Sequence, residues 1–196
     1  EYIENNNFGK FELEPLERGF GTTIGNALRR VMLSSMPGSA IVAIRIDGVM
    51  HEFQTIDGIV EDVTTIVLNL KNVVVKNLTE ETKELHLSVS EEGVVTAGDI
   101  KTDSDVEIIN KDQVIATISK GGKLDMDLIV SNGRGYVPSV DNKKFIEGNK
   151  IGFIPIDALY SPVERVSYEI ENARVGQDAN YDKLIMNVQT NGSLKP

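Results

Sequence analysis

Apolar residues along this chain recur mostly at every second position, the period of a half-buried strand. Ala40, Val42, Ile44 and Ile46 alternate, Asp47-Gly48 reads as a two-residue turn, and Val49, His51 and Phe53 continue the alternation. A β-hairpin is expected there. Residues 8–16 read as a short strand closed by Pro15. Further strands are expected at 72–78, 84–90, 94–100, 106–109, 113–118, 123–131, 151–157, 163–173 and 181–190, with a turn at Gly121-Gly122. Residues 132–150 are rich in Gly, Asn and Lys and read as a long loop, a length that is usually functional or mobile.

Two segments break to the helical period. The first runs from Thr22 to about Met36, where Pro37 and Gly38 stop it. Winding it at about 100° per residue from Ile24 gathers Ala27, Leu28, Val31, Met32 and Ser35 on one arc, which is expected to be the buried face. Arg29, Leu33, Asn26 and Arg30 fall on the opposite side, with Leu33 at about 180° between the arginines. A leucine flanked by arginines has the composition of a protein–protein contact. A second packing layer within the chain, or chance, would leave the same pattern. The second helix is expected over 57–71, with Ile59, Val63, Ile66, Val67 and Leu70 inward. Leu68 and Lys71 point away from that face, and a plain solvated surface is the preferred reading for them.

The composition agrees with a sheet-dominated fold. Ile and Val number 20 and 21 against 14 Leu among 196 residues, and β-branched side chains favour strands. The chain has no cysteine, which excludes disulfides, thiolate metal sites and cysteine catalysis. The net charge of −10 argues against DNA binding by bulk charge. No stretch approaches a membrane span and no signal peptide is visible. The acidity is uneven. Residues 1–37 carry a net −1, residues 38–133 a net −9 and residues 134–196 none. Either an acidic central module interrupts two segments that fold together, or the excess is scattered over exposed strand faces.

Candidate chemistry is sparse. Gly19, Gly21 and Gly25 in GFGTTIG precede a helix, as a phosphate-binding turn would. The spacing is one residue too long for the dinucleotide fingerprint, and no Lys-Ser or Lys-Thr follows. The other reading is a tight turn and close packing at the helix start. Asp103, Asp105 and Glu107 imitate a calcium loop, but Ile108 and Val114 occupy the positions that need Gly and Glu. His51 and His86 are expected in different strands and offer no ligand cluster. Ser34-Ser35 has no histidine at a plausible spacing. No catalytic, cofactor-binding or metal-binding residue is expected.

Six ordered segments carry a resemblance: LEPLERGFGTTIGNALRRVMLSSMPGSA (13–40), IDGVMHEF (46–53), GIVEDVTTIVLNLK (58–71), GRGYVP (133–138), YSPVERVSYEIENARVGQ (160–177) and DKLIMNVQTNGS (182–193). Together they resemble the N-terminal domain of bacterial RNA polymerase alpha subunits. Residues 76–127 and 139–150 match only loosely.

The resemblance implies an α+β fold of two subdomains. Residues 1–37 and 163–196 would form a dimerisation subdomain of sheet plus helices, with a final helix expected after Pro196. Residues 38–162 would form an inserted, mostly β subdomain. The implied function is that of a non-catalytic, cytoplasmic subunit of DNA-directed RNA polymerase, a nucleotidyltransferase complex. It would form a homodimer and be the platform for the beta and beta-prime subunits, without cofactor, membrane or direct DNA contact. The family's beta contact falls on Arg30 and Leu33, with Arg29 and Asn26 beside them, and a beta-prime contact falls on Lys71. Arg18, Gly19, Phe20, Gly21 and Gly25 would form the turn at the helix start. The alternatives are a phosphate- or nucleotide-binding enzyme using GFGTTIG, and an unrelated homodimeric β-rich binding module.

Overall fold

The structure is a computed structural model and describes residues 2–5, 7–148 and 150–196. Strands β1 (Tyr2–Asn5) and β2 (Phe8–Glu17) lead into helix α1 (Phe20–Ser34). After β3 (Pro37–Ile46) come α2 (Val63–Lys71), β4 (Val75–Asn77), β5 (Lys83–Val89), β6 (Gly93–Thr96) and β7 (Val106–Ile108). Next are β8 (Val114–Ile118), β9 (Leu124–Arg134), β10 (Tyr136–Val137), β11 (Ile154–Pro155) and β12 (Ala158–Leu159). The long hairpin β13 (Val163–Val175) and β14 (Asp178–Thr190) closes the series. The fold is α+β, and the chain divides into two units: Glu1–Pro37 with Ser161–Pro196, and Gly38–Tyr160.

The discontinuous unit is an antiparallel sheet ordered β1-β2-β14-β13, with α1 against one face. Strand parity puts Leu184, Met186 and Val188 on the covered face with Val163 and Val166, and α1 adds Ile24 and Met32. Full burial of each large aliphatic chain contributes about 1.5–3 kcal/mol. Strand β2 does not stop at Pro15 but continues to Glu17. The β2–β14 register shifts between Asp182 and Leu184, so Pro15, which has no N–H to donate, sits at the irregularity.

The continuous unit is built on a four-stranded sheet ordered β11-β3-β9-β5, with three two-stranded ladders β4-β7, β6-β8 and β10-β12. Ile44, Ile46, Leu85, Leu87, Leu124, Met126 and Leu128 share a core with Ile66 and Leu70 of α2. Arg45, His86 and Asp127 have the opposite parity and meet on the outer face. The alternation therefore gives one packed face and an opposite face that is polar around Arg45, His86 and Asp127, while Ala43 and Ile129 of the same parity join a second buried cluster with Phe153 and Tyr160.

Three expectations about this unit are corrected. The second arm of the Asp47-Gly48 hairpin is not a strand, and His51 and Phe53 are exposed in turns. The Gln54 side chain accepts the Met50 and His51 amides, and the Glu61 carboxylate takes the Thr117 amide and hydroxyl, so the segment closes on itself and on β8. Helix α2 begins at Val63 rather than 57, because Asp62 caps it by accepting the Thr65 amide at 2.8 Å. The preceding Gly58, at φ 80°, is packed onto Gly122. Residues 132–150 are not a continuous loop: β9 extends to Arg134, β10 follows, and Asp141–Phe145 forms a 3-10 turn.

Candidate protein interface on the first helix

Helix α1 has no cap from its own neighbours. Gly19 stands at φ 89°, a left-handed conformation open to glycine. The missing acceptor comes from β14: Oδ2 of Asp182 accepts the Gly19 amide at 2.9 Å and the Gly21 amide at 3.2 Å. An anionic oxygen at a helix N-terminus satisfies orphan amides and meets the positive end of the helix dipole. Sequence reasoning missed Asp182, although a signal was there. It shares strand parity with Leu184, Met186 and Val188, and an acid on an apolar face needs a partner.

The face that α1 turns to the sheet differs from the expected one. Gly21 and Gly25 are the buried positions, with Ile24 and Met32 half-buried beside them. A Cβ at Gly25 would come within 2.8 Å of the Tyr168 ring and 3.0 Å of Leu184. Phe20, Leu28 and Val31 remain 50%, 42% and 53% exposed, and Ala27 and Ser35 are exposed with them. A helical wheel weights side chains and so overlooks a face made by glycine, where the backbone itself makes the approach.

The candidate contact residues lie on the open surface of this helix. Asn26, Arg29 and Arg30 are exposed, and Leu33 is 37% exposed. Arg18 and Phe20 are exposed at its start. The last turn is tied down locally, with the Ser34 hydroxyl donating to the Arg30 carbonyl at 2.6 Å and the Ser35 amide to the Val31 carbonyl at 2.9 Å. Thus α1 presents an apolar strip and, on another side, two arginines with a leucine.

Lys71 ends α2 in the other unit. Its ammonium donates to Oδ2 of Asp157 at 3.0 Å, and Oδ1 of Asp157 accepts the Ser139 amide at 2.8 Å. The Ser139 amide first, then Lys71, hold the Asp157 carboxyl below the usual carboxylate range against the opposing effect of burial.

The remaining polar clusters are internally paired. Asp105 accepts from Lys83 at 2.8 Å and Asp103 lies 3.9 Å from the same ammonium. His86 lies 2.7 Å from Asp127 through Nδ1 and 3.4 Å from Asp125 through Nε2, and Arg45 pairs with Asp127. Among the described residues no group of three or more His, Asp or Glu side chains is arranged to hold a metal ion. No described helix is long and apolar enough to cross a membrane.

Residues 43–161 match the family model described as the RNA polymerase Rpb3/RpoA insert domain. The chain is 56% identical over 196 residues to the DNA-directed RNA polymerase subunit alpha of Oceanobacillus iheyensis, covering 100% of this chain and 62% of that protein. It is 55% identical over 196 residues to the subunit of the same name from Macrococcus caseolyticus, covering 100% and 62%. With that from Symbiobacterium thermophilum it shares 54% over 193 residues, covering 98% and 61%. The chain thus spans about three fifths of the length of these relatives. By the match over most of its length, the chain belongs to the bacterial RNA polymerase alpha-subunit family.

Proposed function

We propose that this chain acts as an assembly subunit of a DNA-directed RNA polymerase in the bacterial cytoplasm, without chemistry of its own. Two copies pair through the discontinuous unit, and the pair carries the beta and beta-prime subunits. A symmetric dimer offers the same surface twice, so two different large partners can each take one copy. The beta subunit is held by Arg30 and Leu33, with Arg29 and Asn26 beside them. Lys71 serves the beta-prime side.

The observation that supports this reading is the dual exposure of α1. Phe20, Leu28 and Val31 stay open on one side, while Arg29, Arg30 and Leu33 stay open on another. An apolar strip on a helix already seated on its sheet favours a second protein surface. Arginine supplies charge-assisted hydrogen bonds in a fixed fork, and leucine supplies a desolvated anchor. The phosphate-binding alternative is disfavoured by Asp182, whose carboxylate already accepts the Gly19 and Gly21 amides and puts a negative charge where a phosphate would sit.

Mixing the purified chain with purified beta and beta-prime subunits and resolving the mixture by size exclusion tests the proposal. A complex containing both large subunits and two copies of this chain is expected. Independent elution of all three components would overturn it.

A further inference from the structure

Lys71 does not stand alone. Asp157 joins three separate stretches of the continuous unit: the end of α2 through Lys71, the segment after β10 through the Ser139 amide, and the start of β12, which it directly precedes. Tyr136 and Leu159 are paired across β10 and β12, so their side chains lie on one face, and they are 61% and 63% exposed. Leu68 stands one helical turn before Lys71 and is 54% exposed. The surface around the ammonium is therefore apolar and aromatic, and the ammonium already has its counter-charge.

We infer that Asp157 is a positioning residue that fixes Lys71 as a charge-paired, pre-ordered donor for a partner offering carbonyl oxygens and apolar side chains rather than acidic groups. The inference rests on the reading of Lys71 as a contact for a large subunit. A free lysine loses several rotamers on binding, whereas one anchored at 3.0 Å to a carboxylate has lost them beforehand. Its remaining N–H groups stay available, since an ammonium has three donors and Asp157 takes one. An acidic partner would have to compete with Asp157 for a charge already satisfied, while a carbonyl needs only a donor.

A double-mutant cycle on the complex with the beta-prime subunit tests this. Asp157→Asn is expected to weaken binding by about tenfold in the wild-type background and by less than about twofold beside Lys71→Ala. The affinity ratio between wild type and Lys71→Ala is expected to stay constant as salt rises from roughly 0.05 to 0.5 M. An equal loss from Asp157→Asn in both backgrounds would mark a merely structural role and overturn the inference. A ratio that collapses with salt would identify an acidic partner and overturn it too. Failure of the wild-type chain to bind beta-prime at all would overturn the proposed function, and this inference with it.

Tyr136 gives a separate readout in the free chain. The Asp157 carboxylate, followed by burial, raises its phenol above the ordinary tyrosine range. Ultraviolet titration should show that elevation in wild type and lose it in Asp157→Asn. Proton exchange should also show the Ser139 amide protected in wild type. An ordinary Tyr136 titration together with an unprotected Ser139 in wild type would remove the anchored cluster and the inference.

Discussion

The Asp182 carboxylate lies 2.9 Å from the Gly19 amide nitrogen although 163 positions separate the two residues. The contact joins the start of α1 to β14, and it fills the helix N-terminus with an anion that belongs to the protein. Replacing Asp182 with Ala leaves the Gly19 and Gly21 amides without this acceptor. The expected loss is about 1.5–3 kcal/mol, the range for hydrogen bonds to a charged group. Asp182→Asn keeps an acceptor and should lose less. Urea unfolding of the three proteins checks the ranking, and an unchanged midpoint for Asp182→Ala would contradict it.

The same contact makes a binding prediction. Calorimetric titration of the wild-type chain with inorganic phosphate or ATP should give no saturable heat, because the Gly19 and Gly21 amides are already taken by a carboxylate that would repel a second anion. Saturable binding abolished by substitution in the GFGTTIG turn would restore the enzyme alternative.

At Gly25 two effects oppose each other. Gly25→Ala gains about 1 kcal/mol in helix propensity. The new methyl, however, falls 2.8 Å from the Tyr168 ring and 3.0 Å from Leu184, which is 1% exposed. Overpacking of this kind costs about 1–3 kcal/mol. The Leu184 contact is its terminal methyl, but the Tyr168 contact is at the ring atoms nearest its own strand, which have little room to move, so the clash should win. Gly25→Ala is expected to lower the melting temperature by a few degrees and Gly25→Val by more. A rise in melting temperature for both would contradict this packing.

Acid sensitivity of the continuous unit should pass in part through Asp127. Burial raises its carboxyl, but hydrogen bonds and charge from His86 and Arg45 outweigh that and hold it below the ordinary value. A depressed carboxyl stabilises the fold above its unfolded pKa of about 3.9 and loses that contribution as pH falls through the folded value. The Arg45 side chain is 46% exposed, so solvent screening keeps the contribution under about 1 kcal/mol. Denaturant unfolding of wild type and Asp127→Asn should differ most at about pH 5 and above and converge as pH falls below about 3.9 through the depressed folded value. A difference that is flat across this range would contradict the pairing.

What could be read from the chain alone follows from the range of each interaction. Strand parity is local, so β5, β9, β13 and β14 are legible from their alternation, and α1 from its period and its Pro37-Gly38 stop. The arm at 49–53 alternates just as well, but its amides are claimed by Gln54, a side-chain choice that parity does not report. The outward side of α1 with Arg29, Arg30 and Leu33 was visible on the wheel. Its inner side was misjudged, because Gly21 and Gly25 have no side chains to count and Leu28 and Val31 look like core wherever they are. Lys71 and Asp157 are 86 positions apart, and no periodicity links them.

The account rests most heavily on α1 being held by another protein through its exposed arginine and leucine. Its most direct test is the affinity of the beta subunit for wild type, Arg30→Ala and Leu33→Ala, with circular dichroism confirming that all three are folded. Truncation at an interface hot spot costs about 2 kcal/mol or more, so each variant should bind at least about 30-fold more weakly. Wild-type affinity in both variants would contradict the claim.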